Sequence, residues 1–195
     1  MIQKLNIGTT LAALALFFLP WIDIQCSGKS FATQTGIQTI YGGGSPSPEM
    51  KRFVDEKRQT NSSSDESMGN SGLVAIALVA VTGAVIASFV GLRSNKGPKV
   101  EMVGMLCAVA LTLIVVQMMV GFPVAREMGE KLAGTPKNIN STDPMEGAGA
   151  GIAAAMMMNI QVRHTPALYI ELVMLGLPTL VFANGLIDKM KKGQD

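Results

Sequence analysis

One carboxylate stands where carboxylates are rare. Glu171 lies inside the apolar run Thr165 to Ile187. An ionisable side chain in such a run is costly unless it faces a bundle interior, a water-filled cavity or a partner. There it can clasp two helices, handle a proton or an ion, or dock another protein. Counted from Pro166 at about 1.5 Å per residue, it sits roughly 8 Å into its run. Gln117 lies at a matching depth from the end of the run Met102 to Ala125. An intramembrane Gln117–Glu171 hydrogen bond is therefore the expected pairing. A polar clasp is the first expectation for Glu171, and proton or ion handling is the alternative.

The other reactive side chains are Cys26, Cys107, His164 and 14 methionines. Thiolates and thioethers suit Cu(I). However, Cys26 falls at one end of the first apolar run and Cys107 near the opposite end of the third. A separation of about 20 Å or more along the helix axes excludes shared ligation and a mutual disulfide. Cys26 is left as a free thiol or an intermolecular one. The chain has one histidine and no C-x-x-C, H-E-x-x-H, Walker or G-x-S-x-G motif, so no catalytic residue, cofactor or metal site is expected. Nor does a basic stripe with interleaved aromatics point to nucleic acid. Two sequons, Asn61-Ser62-Ser63 and Asn140-Ser141-Thr142, read as coincidental.

The elements that must position these residues are apolar helices. Apolar residues make up 48% of the chain and charged ones only 15%, a balance uncommon in soluble domains. The charges are also segregated, leaving four windows about as long as the roughly 20 residues a bilayer-spanning helix needs. The expected fold is an all-α membrane protein with transmembrane helices at 5–22, 71–92, 102–125 and 165–187. Two sizeable extracytoplasmic loops, 23–70 and 126–164, alternate with a short cytoplasmic loop, 93–101. Lys4, then Arg93, Lys96 and Lys99, then Lys189, Lys191 and Lys192 put both termini and the short loop inside by the positive-inside bias. Pro20-Trp21-Ile22-Asp23 is no signal-cleavage site, and Gln25 before Cys26 does not fit a lipoprotein signal, so the first helix is read as retained. Trp21 is then expected to anchor that helix at the headgroup level.

Small residues recur at four-residue spacing: Gly83, Ala87 and Gly91 in one helix, Gly104 and Ala108 in the next. Such rows let helices approach closely in lipid, within the bundle or towards a partner. Ile24 to Tyr41 is rich in strand formers around Ser27-Gly28-Lys29, which suggests a hairpin. Thr60 to Ser71 reads as a linker. Asp143-Pro144-Met145-Glu146 is a helix-start pattern opening a helix over 144–160; the stretch Gly147 to Val162 carries no charge and reads as interfacial, re-entrant or buried against another subunit. Ile152, Met156, Met157 and Met158 on it form an adaptable apolar surface expected to contact a partner. Thr165 and Pro166 are expected to start the last helix, and Pro178 to kink it.

At Pro20 to Cys26, Thr33 to Gln38 and His164 to Tyr169 the chain resembles small uncharacterised bacterial inner-membrane proteins of four helices. That resemblance implies a multi-pass protein of the bacterial inner (cytoplasmic) membrane and names no activity. The layout is also similar to the claudin-like tetraspans. Their loop cysteine pair is missing, since only Cys26 is available, so nothing is carried across. The expected function is a non-catalytic accessory, scaffold or assembly subunit of a larger membrane complex, partnered by the bilayer and by other subunits or itself. The alternative is a small transporter or channel using Glu171.

Overall fold

Helix α1 (Ile2–Leu16) stops before Pro20, where strand β1 (Pro20–Cys26) begins. The computed structural model describes residues 2–26, 28–47, 70–93, 100–124 and 160–192. A turn at Gly28, whose φ of 81° suits glycine, leads into β2 (Lys29–Thr35). Helix α2 (Gly36–Tyr41) and the two-residue strand β3 (Ser45–Pro46) follow. Beyond them come α3 (Gly72–Arg93), α4 (Val100–Val120), β4 (Ile160–His164) and α5 (Pro166–Lys192).

The protein is mostly helical, and three helices are long and apolar enough to cross a membrane: Gly72–Gly91, Glu101–Val120 and Pro166–Lys192. The apolar part of α1, Asn6–Leu16, is shorter. Helix α3 packs along α4, and α4 along α5. Helix α1 lies against α3 and α5, diagonal to α4. At one end an antiparallel sheet of order β3-β2-β1-β4 joins the bundle. The all-α expectation is therefore corrected, because a four-stranded sheet is part of the fold.

The first helix was expected to run to Ile22, and here the structure differs most. Residues 20–26 satisfy their backbone groups by pairing with β2 on one side and β4 on the other. Ile22 and Ile24 project into the core while Asp23 and Gln25 take the other face, the two-residue alternation of a strand. The helix expected over 144–160 lies outside the described residues except at its end. There Ile160 belongs to β4, which supplies the second partner that β1 requires. Helix α4 ends at Val120 and not at Ala125, because Gly121 adopts a φ of 86° and a left-handed residue at this position terminates a helix. Helix α5 runs on to Lys192 as one helix containing Pro178.

One continuous core joins the two parts. Phe17, Trp21, Ile22, Ile24 and Ala32 from the sheet end meet Val74, Ala77, Ile114 and Leu168 from the helices and Phe122 just beyond α4. At the opposite end, exposed Lys189 and Glu101 form an ion pair between α5 and α4. A pair so exposed contributes little to stability.

Candidate functional site

At the sheet end, hydrogen bonds tie the helix termini into one layer. The chain leaves α1 through a tight turn in which Phe18 N–H donates to Ala15 O (3.1 Å) and Leu19 N–H to Leu16 O (3.0 Å). The ladder of β1 with β2 then shifts register between Pro20 and Ile22. The extra residue is Trp21, and a bulge of this kind re-aims a side chain. Trp21 and Ile22 are in consequence both fully buried, although they are neighbours in a strand. The indole Nε1–H donates to Leu16 O (3.0 Å), satisfying a carbonyl that the end of α1 leaves open. Its ring lies 4.7 Å from that of Phe17, centroid to centroid. Trp21 is therefore not a headgroup anchor; the bulge turns it inward, under α2.

Helix α2 rests on that ring. A Cβ added to Gly36 would come within 2.8 Å of two indole carbons, so only glycine fits where α2 starts. A capping box opens α2: Gln38 N–H donates to Thr35 Oγ1 (3.1 Å), and Thr35 N–H donates to Gln38 Oε1 (2.9 Å). Ile37 N–H donates to Phe17 O (3.0 Å), and Ser71 N–H to Thr39 O (3.0 Å). Helix α2 is thereby fastened to both α1 and α3. Helix α5 is held by Thr165, whose N–H donates to Trp21 O (2.9 Å) and whose hydroxyl donates to Pro20 O.

Gln117 belongs to this layer. Its Oε1 accepts from Ser71 Oγ, and its Nε2 donates to Gly121 O (2.8 Å). Ser71 Oγ in turn accepts from Val74 N–H (3.3 Å), capping α3. One amide side chain thus joins the start of α3 to the end of α4. The expected Gln117–Glu171 bond is accordingly corrected. Helix α4 stops three residues after Gln117, about 5 Å along its axis, whereas Glu171 lies about 8 Å into α5. The amide is engaged at the rim and the carboxyl sits deeper. Replacing Gln117 by leucine should cost about 1–3 kcal/mol by stranding the Ser71 hydroxyl and the Gly121 carbonyl. Thermal unfolding in detergent would measure this. The double variant with Ser71→Ala should lose less than the two single losses added.

Glu171 is fully buried, and neither of its carboxyl oxygens has a hydrogen-bond partner. Asn6 Oδ1 on α1 and Gln34 Oε1 on β2 are the other such acceptors among the described residues. Cys107, also buried, lies within electrostatic reach of Glu171 from α4. No group of three or more His, Cys, Asp or Glu side chains that could hold a metal occurs among the described residues. His164 instead joins an aromatic row, 5.6 Å from Phe122 and 6.4 Å from Tyr169 by ring centroids.

The small-residue rows divide. Gly83 faces Leu106 on α4, Ala87 packs against the core and Gly91 is buried. Gly104 touches α5: a Cβ there would overlap Phe182 Cβ and come within 3.1 Å of Pro178 O. Ala108, one turn on, is half-buried. Cys26 pairs through its backbone with Lys29 and Ile160. Ile152, Met156, Met157 and Met158 lie outside the described residues. Sequence reasoning missed Ser71, Thr35 and the bulge at Trp21. The first two carried readable signals: a serine just before an apolar run, and Thr-x-x-Gln before a helix.

Three helices long and apolar enough to cross a membrane, fastened under a small antiparallel sheet, mark the chain as a helical membrane protein by length and composition. No family model, no curated protein and no solved structure matches it.

Proposed function

We propose that the chain is a non-catalytic accessory, scaffold or assembly subunit of a larger complex in the bacterial inner membrane. In this reading α1 is a fourth span beside α3, α4 and α5, both termini are cytoplasmic, and the sheet stands outside. The lysines and arginines at the ends remote from the sheet support that orientation. The observation that carries the assignment is the fastening of the sheet. Trp21 and Thr165 fix β1 to the ends of α1 and α5 by hydrogen bonds, and α2, which continues β2, is fixed to the start of α3 by the bond from Ser71 N–H to Thr39 O, so the sheet moves with the bundle as one rigid surface. Strand β4, at the sheet's margin, leaves one backbone edge unpaired among the described residues and exposes Gln161, Arg163 and His164. An open edge of this kind accepts a further strand from another chain. Extraction in mild detergent followed by identification of co-purifying proteins tests the proposal. Stoichiometric recovery of a membrane partner is expected, and recovery as a bare monomer would count heavily against it.

A second reading, a small conduit for protons or ions, draws on one observation: the carboxyl of Glu171 is enclosed with no donor facing it. Buried ionisable groups in spans often serve such pathways. Glu171→Gln separates the two readings. A scaffold should keep both its partner and its basal vesicle permeability, read with a trapped pH dye. Loss of flux with the assembly intact would transfer the assignment to the conduit.

A further inference from the structure

The first span raises a problem of length. At about 1.5 Å per residue, the apolar part of α1, Asn6–Leu16, measures only about 16 Å, against about 30 Å for the hydrocarbon of a bilayer. Helices α3 and α4, with 22 and 21 residues, reach about 32 Å. Yet all of them end at one hydrogen-bonded layer, so α1 cannot end lower in the membrane than its neighbours without something filling the gap.

The turn after α1 fills part of it. The bonds from Phe18 to Ala15 and from Leu19 to Leu16 are of the i to i−3 type, which stretches the rise to about 2.0 Å per residue. Three residues in this form add about 6 Å and bring the apolar span to about 22 Å. The side chains follow the same course. Gly8, Leu11, Ala15 and Phe18 are all exposed, spaced three or four residues apart on one face of the helix. That face continues past Leu16 without a polar residue. Phe18 is 64% and Leu19 48% exposed, a large apolar surface placed just beneath the layer formed by Pro20, Trp21 and Thr165. Asp23 is the first charged residue beyond it.

We infer that Phe18 and Leu19 are a lipid-contact wedge in the outer leaflet, extending the first span where α1 falls short. The occupant of this surface is the upper acyl region of the phospholipid, and Trp21 behind it is shielded from lipid. This rests on the four-span reading, and the test distinguishes its failure from failure of that reading.

The probe is tryptophan emission in vesicles of phosphatidylcholine brominated either near the headgroup end of the acyl chain or near its methyl end. Single substitutions Phe18→Trp and Leu11→Trp are made in the full chain. Trp21 is kept, and the parent's emission is subtracted. Phe18→Trp should lose most of its added emission to the shallow bromines, and Leu11→Trp most to the deep ones. Quenching of Phe18→Trp by aqueous iodide, with Leu11→Trp still quenched by deep bromines, would overturn the wedge and leave the four spans standing. If neither variant is quenched by either lipid, α1 is not in the bilayer and both readings fall. Both replaced side chains are exposed, so the substitutions leave the core intact; unchanged gel-filtration profiles would verify this.

Discussion

Replacing Trp21 by alanine will cost the protein about 3–5 kcal/mol of folding stability, the range for emptying a buried aromatic site. The ring is fully buried, against Phe17 and the start of α2. Loss of the Nε1–Leu16 bond adds an open carbonyl at the end of α1. Trp21→Phe separates the contributions: it keeps most of the packing and should lose only about 1 kcal/mol with the bond. Gly36→Ala approaches the same contact from the other side, since its methyl would sit 2.8 Å from two ring carbons. The measurement is the unfolding midpoint in detergent. A headgroup-anchor role predicts the opposite pattern, with Trp21→Ala nearly neutral in detergent and Gly36→Ala harmless.

The second large effect is expected at Gly104. A single methyl there overlaps Phe182 Cβ and crowds the Pro178 carbonyl, so α4 and α5 must separate or Phe182 must leave its position. Overpacking of this kind costs about 1–3 kcal/mol. Phe182→Gly removes the Cβ that the new methyl meets, so it should cost clearly less in the Gly104→Ala background than in the parent, a coupling between two residues on different helices. By contrast, Gly83→Ala places its methyl 3.5 Å from Leu106 Cδ1, an ordinary contact, and should shift stability by no more than about 0.5 kcal/mol. If Gly104→Ala is as stable as the parent, or Phe182→Gly costs the same in both backgrounds, the contact between α4 and α5 is not as close as described.

These two cases show where sequence reading reaches its limit. Gly83 and Gly104 stand in similar small-residue rows, and nothing local distinguishes them. Only the seating of Phe182 against one of them does. Trp21 likewise follows an apolar run and precedes the first aspartate, which is the pattern of an interfacial anchor. A single extra residue in the ladder, invisible in composition, turns it inward. The expected Gln117–Glu171 bond failed for a comparable reason. Depth was counted from a helix end that Gly121 moves from Ala125 to Val120, and the partner amide was already engaged by Ser71.

Hydropathy by itself determined the long apolar helices, because a run of some 20 residues without charge has few other stable forms. Local chemistry determined the turn at Gly28 and the start of α5 at Pro166, which depend on the backbone of one or two residues. Tertiary structure alone decided that α1 stops at Leu16, that residues 160–164 become a strand, and that Glu171 is enclosed without a donor. Each of these depends on a partner distant in sequence: β4 reaches β1 across more than a hundred residues, and a backbone pairs where its free edge finds a match. No window of the chain contains that match.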